Sequence, residues 1–177
     1  YVKYVKSGLV KVSREGENEK SVIIRIATAD SFLGILSLFY EERYQFTATA
    51  IEDSNVIYTN ISVFKEIVGE NGHYAIHLMK ELSSSAMVLL DKVINVSQKQ
   101  VPGRLADVLL FFSTQIYKKD TFTLPVSRMD LAELISSTKE SISRTLTEFK
   151  NDKIIELDDK EVTIKSLELL QILSRLG

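Results

Sequence analysis

Apolar residues in the first third of the chain come in short alternating or β-branched bursts: YVKYV at 1–5, GLVKVS at 8–13, SVIIRIA at 21–27, QFTATAIE at 45–52 and NVIYTN at 55–60. That pattern predicts strands, and the polar stretch REGENEK, with Gly16 and Asn18, suits a hairpin turn. An all-β sandwich or roll follows. SFLGILSLFYEERY at 31–44 interrupts it with apolar residues at irregular spacing, read as a short helix plus a loop. SVFKEIV at 62–68 reads as a second short helix, closed by GENG at 69–72.

From Tyr74 to Val96 the chain runs without Gly or Pro. Met79, Leu82, Ala86, Leu89, Val93 and Val96 follow alternating three- and four-residue steps, the a/d repeat of a coiled-coil seam. Leu78, Met87, Leu90 and Ile94 make a second stripe beside it. One stripe suits the roll and the other a partner helix; the alternative is a helix buried in its own domain on both sides. QKQVPG at 98–103 then breaks the helix and marks a hinge, Pro102 standing next to Gly103.

Beyond the hinge RLADVLLFFSTQIY is amphipathic, TFTLPVS extended, and RMDLAELI helical. IIEL and EVTI form a hairpin about the polar turn DDK, and SLELLQILSRL is a last helix. This order describes a winged helix-turn-helix. Three parts result: a β-roll over 1–73, a helix and hinge over 74–100, and the winged unit over 101–177.

Within STKESISRTLTEF at 137–149, Ile142, Leu146 and Phe149 recur as one buried stripe. Ser137 and Glu140 have capping-box spacing, and Thr138 is itself an N-cap candidate. Burial of the stripe leaves Lys139, Glu140, Ser143 and Arg144 outward on the first turns, the part of a recognition helix that reaches base edges. Arg grips guanine N7 and O6, and Glu accepts from cytosine N4. Taken alone, Glu140 and Arg144 read equally well as an i, i+4 surface ion pair.

The segment LAELISSTKESISRTLTEFKNDKII closely resembles the helix-turn-helix signature of the CRP/FNR superfamily of bacterial transcription regulators. Leu131, Ala132, Thr138, Glu140, Ser141, Ile142, Ser143, Arg144, Leu146 and Ile154–Ile155 match it. Glu140, Ser143 and Arg144 resemble the FNR branch, which implies base reading at a palindrome with TTGA-like halves. Arg128, Ser137, Thr138 and Lys139 join them as expected DNA contacts. Ser136 stands where the family has a turn glycine, a position where positive φ is expected. The resemblance extends over YVKSGLVKVSREGENEKSVIIRIATADSFLGILSLF, similar to the cyclic-nucleotide-binding β-roll, and implies a homodimer that acts with RNA polymerase on double-stranded DNA. It also implies that a first part of the roll precedes Tyr1.

The cAMP-binding members carry Gly-Glu and then Arg-Ser or Arg-Thr around the cyclic phosphate. Here Gly34 is followed by Ile35, and Tyr44–Gln45 stand where the Arg pair would be, with Arg43 one residue early. A buried anion without a cation is expensive, so cAMP is not the expected effector. Phe32, Gly34, Leu36, Leu38, Tyr44 and Phe46 are the candidate lining of an apolar pocket for another effector, or filled core.

Composition narrows the chemistry. The 177 residues contain no cysteine, which excludes an iron–sulfur cluster ligated within them. His73 and His77 offer a metal pair or a haem ligand, against the plainer reading of two surface histidines. The roll has no histidine before His73, so cupin-type metal catalysis is absent, as are a Gly-x-Ser-x-Gly elbow and a phosphate-binding Gly loop. No enzyme is expected. Without a signal-like stretch or an apolar run long enough for a bilayer, the expectation is a cytoplasmic protein with no membrane partner. A net charge of −2 gives no global basic field, and 101–177 alone hold eleven Lys/Arg against twelve Asp/Glu. A scaffold using its winged domain for protein contacts is therefore the alternative, and DNA contact rests on a few local cations.

Overall fold

The computed structural model describes residues 1–16, 21–40 and 43–177. The chain forms two compact units, Tyr1–Asp91 and Lys92–Gly177. Asn18, assigned above to a hairpin turn, lies outside the described residues.

The first unit holds two three-stranded antiparallel sheets. β1 (Val2–Ser7) lies between β4 (Ser31–Leu33) and β6 (Asn55–Thr59), and β2 (Val10–Glu15) lies between β3 (Ser21–Ala27) and β5 (Thr47–Ala50). Inward residues of alternating strands make the core: Val5, Val10, Val12, Ala27 and Leu33 in one cluster. Val2, Phe32, Ile35, Leu38, Phe64 and Leu78 make a second. Rings of Tyr4, Phe32, Phe64 and Tyr74 run through it edge to face, with centroids 5.0, 5.8 and 6.0 Å apart. The 31–44 stretch departs from expectation, because Ser31–Leu33 pair with β1 and only Ile35–Leu38 (α1) are helical. Gly34 supplies the left-handed turn between them at φ 68°, and a Cβ there would stand 2.6 Å from the Tyr44 ring.

α2 (Ile61–Glu70) starts at Asn60, whose side chain accepts from the Ser62 N–H at 2.8 Å. α3 (Gly72–Gln98) is continuous. Of the six residues expected on the seam, Met79, Ala86, Val93 and Val96 are exposed, and Leu82 and Leu89 are half-buried. Leu78 is buried, while Leu82 packs against the roll core and Leu89 lines a cavity in the roll, so these faces belong to the protomer itself. The exposed stripe is Ile76, Met79, Met87, Leu90, Val93 and Ile94, with Ala86 and Val96 also exposed.

In the second unit α4 (Val101–Leu110) carries Pro102 in its first turn, where the missing N–H costs nothing. The expected single helix over 104–117 changes instead to a π-helical stretch over Phe111–Tyr117, ended by Lys118 in the left-handed region. Stacked Phe112, Tyr117 and Phe122 pin this stretch to β7 (Thr121–Thr123). α5 (Arg128–Ile135) opens with a capping box in which the Asp130 N–H donates to Ser127 Oγ and the Ser127 N–H to the Asp130 carboxylate. α6 (Lys139–Asn151) follows, and β8 (Ile155–Asp158) and β9 (Glu161–Ile164) form the wing beside β7. α7 (Leu167–Leu176) packs on α4.

Ser136 between α5 and α6 takes φ 55°, ψ 59°. This conformation strains any residue with a Cβ. Ser136→Gly is therefore expected to raise stability by about 1 kcal/mol, seen as an upward shift of the thermal unfolding midpoint without loss of helix signal.

Candidate nucleic-acid interface

α6 owes its orientation to one stripe. Ile142, Leu146 and Phe149 are buried, with Thr145 beside them, and the helix packs against α4, α5 and β8. Burying each large side chain contributes about 1.5–3 kcal/mol, which fixes the helix about its own axis. The N-cap is Thr138, whose Oγ1 accepts from the Ser141 N–H at 3.2 Å. The Ser137–Glu140 capping box expected from spacing does not form that cap; the box belongs to α5.

Lys139, Glu140 and Arg144 are exposed on the first two turns, and Ser143 is half-buried between them. The Arg144 side chain is 72% exposed and its Nε lies 3.9 Å from Glu148 Oε1, too loose to hold it. The i, i+4 partner of Arg144 is thus Glu148 rather than Glu140. The Glu140 carboxyl is held below the ordinary carboxylate range, first by its own backbone N–H, then by the Thr138 hydroxyl and the Lys139 charge. It stays ionised, an acceptor at the helix N-terminus. Arg128 from α5 donates through Nη1 to Ser143 Oγ at 3.3 Å, so two elements meet on this face.

A groove of about 250 Å³ beside it is lined by Ser127, Arg128, Met129, Lys139, Asp159 and Lys160, among others. Lys160 was absent from the sequence expectations. It arrives from the wing, whose two-residue turn places Asp159 at φ 49°, and only the β8–β9 register brings it to the cations of α5 and α6. The overall charge is balanced, yet this groove gathers Arg128, Lys139 and Lys160.

The expected effector pocket is assembled differently from its prediction. Gly34, Leu36 and Phe46 line a cavity of about 30 Å³ with Val12, Ile24, Arg25, Ile35, Ser85, Val88 and Leu89. Phe32 and Leu38 lie in the core instead. Tyr44 packs on Gly34, donates to the Tyr1 carbonyl at 2.6 Å and carries Lys3 Nζ 4.8 Å over its ring. The expectation that this region holds no buried cation also fails. Arg25, on β3, is largely buried and donates to the Phe32 carbonyl at 2.6 Å. Burial pushes its pKa down, opposed by the charge of Glu81. A volume of this size holds about one water. His73 and His77 are exposed on α3, and no group of three or more metal-ligating side chains occurs among the described residues.

Comparison with known proteins agrees with this architecture. Residues 1–71 match the cyclic nucleotide-binding domain and residues 103–173 the Crp-like helix-turn-helix domain. The anaerobic regulatory protein of Bacillus subtilis is 24% identical over 160 residues, covering 88% of this chain and 67% of that protein. The cAMP-activated global transcriptional regulator CRP of Salmonella typhimurium is 24% identical over 168 residues, covering 91% and 79%. The structure of FixK2 from Bradyrhizobium japonicum superposes with a TM-score of 0.85 at 20% identity, covering 97% and 86%. The family models and these relatives define a DNA-binding transcription regulator rather than an enzyme. The chain belongs to the CRP/FNR superfamily. No helix among the described residues is long and apolar enough to cross a membrane.

Cations that touch phosphate weaken binding equally for all sequences when removed. Lys139→Ala and Lys160→Ala are each expected to lower affinity for specific and non-specific duplexes alike. In a salt titration, each removes about one unit per protomer from the slope of log affinity against log salt.

Proposed function

We propose that this regulator binds double-stranded DNA as a homodimer at a palindromic site with TTGA-like halves, reading bases with Glu140, Ser143 and Arg144. The observation that carries the reading is the exposed face of α6. Its buried stripe turns one anionic acceptor and one loosely held guanidinium outward on adjacent turns, at the end where Arg128 and Lys160 gather. Arg144 then grips a guanine and Glu140 accepts from a cytosine amine. Arg128, Ser137, Thr138, Lys139 and Lys160 meet phosphate or fix the helix that does. Homodimerisation is supported by the exposed apolar stripe of α3, Ile76 to Ile94, which contains four aliphatic and two Met residues within about five turns. Paired protomers put their α6 helices into successive major grooves about one helical turn apart. Transcription then responds through contact with RNA polymerase.

The effector is one other than cAMP. Ile35 and Tyr44–Gln45 replace the anion-binding residues, and the cation in the cavity is already bonded to the Phe32 carbonyl. His73 and His77, both exposed on α3, keep haem among the candidate effectors. Isothermal calorimetry with micromolar cAMP is expected to give no saturable heat.

Arg144→Ala tests the reading directly. Loss of about 1–3 kcal/mol per half-site is expected for the selected palindrome, against little change on random duplex. Undiminished discrimination by that variant would favour the scaffold reading, in which the winged unit contacts protein.

A further inference from the structure

Sequence suggests a free hinge at 98–103, but the structure fills that junction with bonds, all inside the unit Lys92–Gly177. α3 ends at Gln98 and α4 begins at Val101. Between them, Lys99 Nζ donates to both carboxylate oxygens of Asp107, at 3.0 and 2.7 Å. Ser174 of α7 donates to the same carboxylate at 2.6 Å. One acceptor on α4 therefore collects a donor from the link that follows α3 and another from α7. Lys99 and Asp107 side chains are only 22% and 27% exposed, so salt screens this pair less than one on the open surface.

Backbone contacts reinforce the cluster. Arg104 Nη1 donates to the Val96 carbonyl at 3.0 Å, satisfying one of the acceptors left open at the end of α3. The Gln100 N–H donates to the Gly177 carbonyl. Gly103 sits so close to α7 that a Cβ there would stand 2.5 Å from Gly177 Cα and 3.0 Å from the Leu173 carbonyl oxygen.

We propose that Asp107 is a positioning residue that latches the junction: the Lys99–Asp107–Ser174 cluster makes the end of α3 a rigid part of the DNA-binding unit. Any rearrangement about 98–103 then begins with rupture of this cluster. With α3 pairing the protomers, stiffness at this junction sets how strictly half-site spacing is read. That consequence rests on the dimeric DNA-binding reading; the latch itself does not.

The test uses the full chain and the variants Asp107→Asn, Ser174→Ala and Lys99→Arg. Hydrogen exchange of the Gln100 and Arg104 amides reads the latch without DNA. About tenfold faster exchange is expected in Asp107→Asn, a smaller increase in Ser174→Ala and wild-type protection in Lys99→Arg, with the circular dichroism of the helices unchanged. Duplexes with the selected half-sites moved apart by about two base pairs then read the consequence. Wild type should reject them, and Asp107→Asn should discriminate about tenfold less. Wild-type exchange rates in both Asp107→Asn and Ser174→Ala would overturn the latch. Faster exchange with unchanged spacing discrimination would overturn its role in DNA recognition. Should Asp107→Asn fail to fold, Ser174→Ala carries the same comparison. A wild type that binds no duplex would remove the DNA reading while the exchange result still decides the latch.

Discussion

Burial of Ile142, Leu146 and Phe149 is the constraint on which the function-bearing part of the molecule depends. A helix whose stripe is sunk against α4, α5 and β8 has no rotational freedom, so its opposite face is determined residue by residue. Glu140 and Arg144 are outward because Ile142 and Leu146 are inward. The strained left-handed Ser136 and the Thr138 cap place the start of this helix, and the wing packs close enough to bring Lys160 to the same groove. A chain of nearly neutral charge thereby presents a local cationic edge.

The roll follows a different logic. Its cavity of about 30 Å³ is lined mainly by apolar residues, Leu36, Phe46 and Leu89 among them, and Arg25 there donates to a backbone carbonyl. A guanidinium bonded in this way has part of its burial offset without a bound anion.

Legibility in the sequence tracked how local the determining physics is. α6 could be read because its period, cap and charges lie within fifteen residues. Positive φ at Ser136 was legible for the same reason. On α3, Leu82 and Leu89 fit the heptad yet are half-buried, Leu82 against the cluster of Phe32 and Phe64 and Leu89 at the cavity that Arg25 lines, and neither contact has a local signal. Arg25 escaped notice because a charged residue in a strand reads as solvent-facing by alternation, whereas here Gly34 and α1 fold over it. Lys160 needed the β8–β9 register, and Asp107 needed α7, which is distant in sequence. Residues brought together by long-range topology carry no local signal.

The central claim is that the outward face of α6 reads a defined DNA sequence. Selection of bound molecules from a random duplex pool by the full-length protein, without added ligand, tests it most directly. The account predicts enrichment of a palindrome with TTGA-like halves spaced about one helical turn apart. Enrichment of no sequence, in selections run without ligand, with haem and with cell extract, would contradict it.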